Sequence, residues 1–433
     1  MKLAVVVQRY GLEISGGAEL HARYIAEHLS RHAEVRVLTT CARDYISWQN
    51  EFPAGDTLVN DITVERFPVV RERSLPDFAR HSARVFDDTH SLQDELDWLD
   101  SEGPASPALL QRLERSSEFD FILLFSVRYY HAVHGVRLVG PRAVLVPTAE
   151  REPSLGLSLM PSVFRGTRAV MFNTDEERSL IEGVCGGIHL NGPVVGVGSE
   201  IPSDVSGDRA RQRFGLDGPY VVYVGRIDAN KGCPELFNYF ERYLRRTRRD
   251  LTLVLIGSAV VDIPQHPQIR HLGFVDEQEK FDVIAGCEAL LMPSYFESLS
   301  MVALEAWALG RPVIANGHCD VLAGQCLRSG AGLYYQDADE FAGTLDTLLD
   351  DQALARELGR RGAAYYETHY SWPVIERVYM DTLAQLAEEP APPPVEMLPG
   401  WLERHRRNRP AAAAVVNALP KGPVYPDRSR SRS

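Results

Sequence analysis

PSYFESLSMVALEAWALG, residues 293–310, places two carboxylates, Glu297 and Glu305, eight residues apart across the predicted start of a helix. The four residues before it, 289–292, are apolar and predict a short strand buried on both faces. We expect the carboxyl end of that strand to face Glu297. Because ligands of open parallel sheets bind at the carboxyl ends of the strands, this stretch predicts an α/β fold with a binding site at Glu297.

The helix in this stretch has predictable ends. Ser298 is expected to cap its start, and Gly310 is expected to end it, since Pro312 follows. Eight residues make a little over two helical turns, so Glu305 is predicted to lie near the face of Glu297, about 12 Å further along the axis. One carboxylate can then hold a sugar hydroxyl and the other a ribose, with phosphate at the helix N-terminus between them.

Length and charge limit the class of protein. The chain has 433 residues, which is too many for one ordinary core, and 45% hydrophobic residues are enough for two α/β domains and a tail. A formal net charge of −13 argues against a nucleic-acid-binding protein, whose affinity depends on a basic surface. We therefore expect chemistry on a small molecule and no nucleic-acid partner.

Cysteine spacing and the N-terminus bear on the cellular compartment. The six cysteines include no C-x-x-C pair, so neither a zinc site nor a disulfide framework is indicated, and reduced thiols favour the cytoplasm. The chain runs from Met1 into a predicted strand without a signal-peptide pattern, and no apolar run approaches about 18 residues. These features predict a cytoplasmic protein that is soluble or only peripherally bound to the inner face of a membrane.

The first domain opens with a strand, a glycine turn and a helix. LAVVV, residues 3–7, is followed by Gly16 and Gly17 and then by apolar residues at helical spacing. Such glycines let a ligand approach the backbone N–H groups of a helix N-terminus, and Glu19 adds a carboxylate to the first turn. A tight turn without a ligand is the alternative. Neither predicted sheet carries the fingerprint G-x-G-x-x-G, which argues against a nicotinamide oxidoreductase.

Two further features of the first domain leave alternatives open. Glu150 and Glu152 follow a predicted strand at 143–146, and they belong either to the site or to a plain loop. An arginine cluster either faces an anionic acceptor such as a lipid diphosphate or forms a solvated surface. Its members are Arg66, Arg71, Arg73, Arg80 and Arg84.

The second domain opens with a strand at 220–224 and a turn that carries two cations. Gly225 and Arg226 follow the strand, and Lys231 ends the turn. Arg can bind a diphosphate bidentately and Lys supplies a point charge, each charged hydrogen bond contributing roughly 1.5–3 kcal/mol. Solvated charges on a turn are the alternative. A later turn, Gly273-Phe274-Val275, is predicted to present backbone groups to a nucleobase.

Composition divides the chain into three parts. Residues 1–199 are predicted to form the first Rossmann-like domain and residues 200–371 the second, with a final helix at 373–388 packing back on the first. From residue 389 the sequence is Pro-rich and then basic, which predicts a disordered tail. Weak recruitment to an anionic membrane, at about 1 kcal/mol per cation, and a solubilising tail without a target are both open.

Together these motifs resemble glycosyltransferase family 4, whose members are retaining enzymes of the GT-B fold. The resemblance rests on Gly16-Gly17-Ala18-Glu19, on Gly225-Arg226 with Lys231-Gly232, and on the spacing of Glu297 and Glu305. It covers residues 1 to about 388. It implies two doubly wound, Rossmann-like parallel-sheet domains that face a cleft.

The resemblance also implies roles for individual residues. It places the donor diphosphate at Arg226 and Lys231, with Gly16-Gly17 closing over the phosphate. It places the donor sugar at Glu297 and the ribose at Glu305. The implied catalytic residues are Glu297, Arg226, Lys231 and Glu150. The implied donor-binding residues are Gly16, Gly17, Gly225, Arg226, Lys231, Gly273, Phe274, Val275, Glu297, Ser298, Leu299, Ser300 and Glu305. Neither a metal nor a cofactor is expected.

One position departs from the family pattern. Where the family commonly has a histidine after the strand ending at Val146, this sequence has Glu150. A carboxylate there can orient a sugar hydroxyl or accept a proton, but it adds negative charge where positive charge develops on the sugar. Stabilisation of the leaving diphosphate is expected to supply most of the rate enhancement, so Arg226 and Lys231 should matter more than Glu150.

The function that the resemblance implies is transfer of a hexose with retention. The donor is expected to be a UDP- or GDP-linked sugar and the acceptor a glycan or lipid-linked glycan, in bacterial polysaccharide or lipopolysaccharide biosynthesis. Two alternatives stay open. One is a catalytically silent nucleotide-sugar-binding partner protein, for which Glu150 is the supporting feature. The other is a GT-B sugar epimerase or phosphorylase.

Overall fold

Two sheets with helices packed against them form the framework of residues 1–391. The computed structural model describes residues 1–14, 16–391 and 416–419. Residues 396–433 form a separate unit, in which the described residues make one short turn with the Leu419 amide donating to the Val416 carbonyl. The disordered tail predicted from residue 389 lies almost entirely outside the described residues.

The first sheet has seven strands, and only one of its pairings is antiparallel. The strands are β1 Lys2–Val6, β2 Glu34–Thr40, β3 Gly55–Val59, β4 Ile62–Phe67, β5 Phe121–Phe125, β6 Ala143–Val146 and β7 Ala169–Val170. Their order is β3-β4-β2-β1-β5-β6-β7, with β3 antiparallel to β4. The α-helices of this part are α1 Gly17–Leu29, α2 Leu75–Phe86, α3 Leu92–Glu102, α4 Pro107–Glu114, α5 Tyr130–Val139, α6 Met160–Arg165 and α7 Asp175–Val184.

The second sheet has six strands, all parallel, in the order β10-β9-β8-β11-β12-β13. They are β8 Tyr220–Val224, β9 Thr252–Ile256, β10 Ile269–Gly273, β11 Ala289–Met292, β12 Val313–Asn316 and β13 Gly332–Tyr335. The helices that follow α7 are α8 Gly207–Phe214, α9 Cys233–Thr247, α10 Glu277–Gly286, α11 Met301–Ala308, α12 Asp320–Ser329, α13 Ala338–Asp350, α14 Gln352–His369 and α15 Trp372–Glu388.

Strand β8 shows why this sheet needs helices on both faces. Tyr220 and Val222 belong to one buried cluster, whereas Val221 and Tyr223 belong to another. Because successive side chains of a strand point to opposite faces, both faces of the sheet are buried. The carboxyl ends of all six parallel strands therefore share one open edge, where a ligand can reach them.

The last helix, α15, packs against α1 of the first domain. The His28 imidazole of α1 stacks on the Trp372 indole, with ring centroids 3.4 Å apart. Near the other end of α15, Arg168 Nη2 donates to the Leu386 carbonyl at 2.9 Å. The chain thus returns to the first sheet after it has completed the second.

The predicted α/β fold with two Rossmann-like sheets is confirmed. Two details were not anticipated. The hairpin strand β3 makes one edge of the first sheet antiparallel, and α4 fills a region whose sequence lacks clear periodicity. No helix among the described residues is both long and apolar enough to cross a membrane.

Candidate active site

Lys231 and Glu297 meet at the carboxyl edge of the second sheet. Lys231 Nζ donates to Glu297 Oε1 at 2.8 Å. Gly232 follows the lysine with a φ of +72°, and a Cβ there would lie 2.2 Å from the Pro293 carbonyl oxygen. Only glycine fits this close approach without strain. The glycine therefore holds the turn of Lys231 against the loop of Glu297.

Charge around Lys231 keeps it a cation. Burial lowers the pKa of the amine, but the carboxylates of Glu297 and Glu150 more than offset this effect, so its pKa lies above the ordinary value. The backbone N–H of Lys231 donates to Asp228 Oδ1 at 2.8 Å, which fixes the turn. The lysine is therefore a preorganised positive charge at the open edge of the sheet.

Arg226 lies on the same turn and reaches across to the first domain. Its Nε pairs with the carboxylate of Asp228, and its Nη1 donates to the Tyr45 hydroxyl at 2.8 Å. Tyr45 lies after β2 of the first sheet. The Asp228 carboxylate thus binds both the Arg226 side chain and the Lys231 backbone, and Arg226 also joins the two domains.

The start of the helix in the 293–310 stretch was predicted wrongly. Helix α11 begins at Met301, and Ser300 caps it by accepting from the Ala303 amide at 3.2 Å. Ser298 is therefore two residues before the cap, in the preceding loop, where its backbone carbonyl accepts from the Thr174 hydroxyl of the first domain at 3.3 Å. Glu297 consequently lies in the loop before the helix, and the estimate of its distance from Glu305 along a common axis does not apply.

Glu305 lies on α11 and forms a second lysine–glutamate pair. Lys280 Nζ of α10 donates to Glu305 Oε1 at 3.0 Å and to Glu277 Oε2 at 2.8 Å. Burial raises the pKa of Glu305, and Lys280 opposes this effect. Helix α10 begins just after the Gly273-Phe274-Val275 turn. The predicted ribose carboxylate therefore has a cationic partner beside the predicted nucleobase turn.

That predicted nucleobase turn exposes an aromatic side chain. Phe274 is 77% exposed, and Gly273 has a φ of +74°. The Gly273 carbonyl accepts from the Gly257 amide at 2.9 Å, so it already has a partner. The exposed ring of Phe274 offers a flat apolar surface that suits stacking, which the sequence prediction of backbone contacts alone did not include.

The glycine turn of the first domain packs on a buried ion pair. Arg9 Nε donates to Glu19 Oε1 at 2.8 Å, and both side chains are largely buried. A Cβ on Gly16 would lie 2.1 Å from the Glu19 carboxylate, so a larger residue would displace the pair. Gly17 begins α1 and has open space on its Cβ side. Glu19 is thus engaged with Arg9, and Gly17 is the accessible glycine of the two.

Glu150 lies after β6, close to the Lys231–Glu297 pair. Burial raises the pKa of its carboxyl to about 7; Lys231 and Arg128 oppose this shift, whereas Glu297 and Glu152 add to it. A carboxyl with this pKa exists in both protonation states near neutral pH. The excess negative charge expected at this position is therefore partly removed by protonation.

Contacts across the cleft also join the two domains next to Glu150. Arg151 Nη2 donates to Asp320 Oδ2 at 2.7 Å, and Arg328 Nη2 donates to Glu176 Oε2 at 2.8 Å. Between them lies a cavity of about 690 Å³, lined by α7 and by loops of both domains, Glu297 among them. A volume of this size is typical of small-molecule sites.

The arginine cluster suggested by the sequence does not form one free patch. Arg66 donates to the Tyr10 carbonyl, and Arg73 donates to Glu102 Oε2, each at 2.8 Å. Arg80 pairs with Asp77 on the helix surface, Arg84 pairs with Asp94, and Arg71 donates to the Asp100 carbonyl. Each of the five therefore has its own protein partner.

Three residues at the site were missed from the sequence. Tyr45 and Lys280 lie far in sequence from the Arg226 and Glu305 side chains that they contact. Glu177 lies in the first turn of α7, and its carboxyl accepts from the Ala149 amide beside Glu150, 28 residues earlier in the chain. No periodicity or motif joins such distant positions, because the Tyr45 contact depends on how the two sheets face each other and the other two depend on how elements pack within each domain.

Comparison with known sequences shows a match in the second domain. Residues 218–351 match the family model described as Glycosyl transferases group 1. The chain is 27% identical over 169 residues to the glycogen synthase of Mycobacterium tuberculosis, covering 36% of this chain and only 40% of that protein. It is 25% identical over 379 residues to the D-inositol 3-phosphate glycosyltransferase of Frankia alni, covering 79% of this chain and 88% of that protein.

Comparison with solved structures shows the fold of the whole framework. Sucrose-phosphate synthase from Thermosynechococcus elongatus superposes with a TM-score of 0.63 at 17% identity, covering 89% of this chain and 98% of that chain. Anabaena HepE in complex with UDP superposes with a TM-score of 0.64 at 16% identity, covering 89% of this chain and 100% of that chain. Residues 218–351 therefore match a glycosyltransferase group 1 domain, within a chain that has the GT-B fold.

Proposed function

We propose that the chain is a metal-independent glycosyltransferase that moves a hexose from a nucleotide-diphosphate sugar to a glycan or lipid-linked glycan, with retention at the anomeric carbon. The observation that carries this proposal is the Lys231–Glu297 pair, 2.8 Å apart, with Arg226 on the same turn and Glu150 facing it from the other domain. Cations and carboxylates converge there on one cleft between two sheets.

The cations would stabilise the leaving diphosphate. As the glycosidic bond breaks, negative charge grows on the diphosphate, and fixed positive groups at that point lower the barrier more than they stabilise the bound donor. Lys231 and Arg226 are held by Asp228, so little reorganisation is needed. Glu297, beside Lys231, would accept hydrogen bonds from donor-sugar hydroxyls, and Glu305 would accept them from the ribose.

Glu150 would act on the sugar from the first domain. In its protonated form it can donate a hydrogen bond to a sugar hydroxyl without placing a negative charge on the developing cation. In its ionised form it can stabilise that cation or accept a proton. Its pKa of about 7 makes both forms available near neutral pH.

The nucleotide and the pathway are parts of the same proposal. UDP is the first nucleotide to test, because the Anabaena HepE structure of this fold holds UDP. GDP remains the second candidate. Bacterial polysaccharide or lipopolysaccharide assembly, in the cytoplasm with weak peripheral contact to the membrane, is the setting that we propose. A silent nucleotide-sugar-binding partner protein and a sugar epimerase or phosphorylase are the alternatives.

Thermal unfolding with UDP, GDP, ADP and dTDP tests the donor site. A nucleotide at 100 times its dissociation constant adds about 2.7 kcal/mol to the native state. For domains of this size we expect the midpoint to rise by roughly 5–10 °C with one nucleotide. Failure of all four nucleotides at millimolar concentration to shift the midpoint would count against a transferase.

Two variants give this test its controls. Lys231→Ala should lose the shift, because it removes the charge that contacts the diphosphate. Arg245→Ala removes an exposed cation of α9 that pairs with Glu241 one helical turn away, so it should keep the shift. Acceptor-independent conversion of a nucleotide sugar into its epimer would favour the epimerase, and release of a sugar phosphate from a glycan and inorganic phosphate would favour the phosphorylase. Nucleotide binding without any turnover would favour the silent partner.

A further inference from the structure

Glu177 is a buried carboxylate that joins two loops of the first sheet. It is 1% exposed, although it lies in the first turn of α7. Its Oε1 accepts from the Ala149 amide and its Oε2 from the Asn173 amide, each at 2.6 Å. Ala149 follows strand β6, and Asn173 follows the neighbouring strand β7. One side chain thus binds the backbone after the carboxyl ends of two neighbouring strands.

These contacts differ from those of an ordinary helix cap. Thr174 caps α7 by accepting from the Glu177 amide at 3.1 Å. In a capping box the glutamate at the third position bonds back to the amide of the cap residue itself. Glu177 bonds instead to the amide before the cap and to an amide 28 residues away. Capping of the α7 N-terminus therefore does not explain the hydrogen bond from Ala149 to Glu177.

The turn that Glu177 holds is strained. Thr148, just before Ala149, has a φ of +46°, which is unfavourable for a β-branched residue. Its hydroxyl donates to the Ser126 hydroxyl at 3.2 Å, and Ser126 also has a positive φ of +64°. A strained conformation persists only where its surroundings hold it in place, and such conformations concentrate at functional sites.

Glu150 is the residue that this turn presents to the cleft. The charged groups that shift the pKa of its carboxyl, besides burial, are Lys231, Glu297, Glu152 and Arg128. Burial raises the pKa of Glu177, and the Glu150 carboxyl adds to this shift. Burial also raises the pKa of Tyr379 of α15, and Glu177 adds to that shift. Glu177 is thus electrostatically connected to the site, and it also lines the wall of the cavity that contains Glu297, while its carboxyl is almost fully covered.

We infer that Glu177 is a positioning residue of the proposed reaction: its carboxylate fixes the strained 148–150 turn and so holds Glu150 towards the Lys231–Glu297 pair. This inference rests on the proposed function, because it assigns Glu150 a place beside the donor sugar. The holding of the loop itself does not depend on which reaction is catalysed.

Amide hydrogen exchange of the full chain tests the holding directly. Glu177→Gln keeps one acceptor oxygen and Glu177→Ala keeps none. We expect exchange in residues 148–150 to become about tenfold faster in the glutamine variant and faster still in the alanine variant, because one or both hydrogen bonds from the backbone to the Glu177 carboxyl are lost. Glu182→Gln is the matched control: Glu182 lies on the same helix and accepts from the Leu190 amide at 3.2 Å. It should leave residues 148–150 unchanged.

Steady-state kinetics distinguish positioning from simple stabilisation. With the nucleotide sugar that the wild type turns over, we expect kcat to fall by about tenfold in Glu177→Gln while the affinity for the nucleotide stays within about twofold. Unchanged exchange at 148–150 in the glutamine variant would overturn the inference, as would an unchanged kcat in a variant whose loop does exchange faster. If the wild type binds no nucleotide, the proposed function fails, and exchange alone then decides whether Glu177 holds the loop.

Discussion

Two lysine–glutamate pairs lie at opposite ends of the same predicted donor site, and they differ in how far they face the cleft. In the Lys231–Glu297 pair the side chains are 30% and 11% exposed, whereas in the Lys280–Glu305 pair they are 12% and 4% exposed. The first pair joins a loop to a turn. The second joins two helices, α10 and α11.

This difference separates a ligand-facing pair from one that also supports the fold. Lys231 and Glu297 both lie on loops at the open edge of the sheet. When a ligand binds, Lys231 can therefore contact phosphate oxygens and Glu297 can contact sugar hydroxyls in place of their mutual hydrogen bond. Lys280 and Glu305 are nearly buried, and removal of either would leave a charge in a medium of low polarity. We therefore expect substitutions in the first pair to change function, and substitutions in the second to change stability first.

Lys280→Met should produce the largest effect. Breaking a buried ion pair by removing one partner typically costs about 3–5 kcal/mol, because the other charge stays buried without compensation. We expect the free energy of unfolding, measured by urea denaturation at neutral pH, to fall by about that amount. A double variant, Lys280→Met with Glu305→Leu, should recover most of the loss. A single variant as stable as the wild type would show that the second pair is not structural.

Lys231→Met should affect turnover instead. A charged hydrogen bond to the diphosphate contributes roughly 1.5–3 kcal/mol, so we expect kcat/KM for the nucleotide sugar to fall by about 10–100-fold. Because the Lys231 side chain is 30% exposed, compared with 12% for Lys280, the unfolding free energy should fall by less than in Lys280→Met. Glu150→Ala should lose less turnover than Lys231→Met. A larger loss in the Glu150 variant would reverse the order of importance assigned to leaving-group stabilisation.

The smallest expected effect is a pH dependence of the free energy of unfolding, which arises from the protonation of Glu150. Its pKa in the folded protein is about 7, above the ordinary value for a glutamate. The folded state therefore binds this proton more tightly than the unfolded state, so the stabilisation is full at acidic pH and is lost as pH rises towards and through 7. Glu150→Gln should remove this slope, and its stability relative to the wild type should increase by about 1–2 kcal/mol between pH 6 and pH 8. Parallel stability curves for the two proteins would contradict the buried, protonatable Glu150.

The sequence predicted the second domain better than the first. Glu297, Glu305, Arg226 and Lys231 all lie within or beside short strand–turn–helix units, whose local geometry follows from glycine, helix period and buried strands. The cap of α11 was missed by two residues, since both Ser298 and Ser300 are suitable caps and only tertiary contacts choose between them. Ser298 is held instead by Thr174 across the cleft.

Long-range partners could not be predicted in the same way. Lys280 meets Glu305 because α10 and α11 pack together, and Tyr45 meets Arg226 because the two sheets face each other. Neither contact leaves a signal in a single sequence. In the region from β2 to β5, the hairpin strand and the helices lack glycine motifs, so the sequence predicted only some of the elements. The arginines there each bind a partner within the first domain, some buried and some on the surface.

A crystal structure with the nucleotide that raises the unfolding midpoint tests most directly whether the Lys231–Glu297 pair faces the donor. We predict phosphate oxygens within about 3.2 Å of Lys231 Nζ and of the Arg226 guanidinium, with ribose hydroxyls on Glu305. A nucleotide bound elsewhere, with Lys231 still paired only to Glu297 and no phosphate contact, would contradict the assignment.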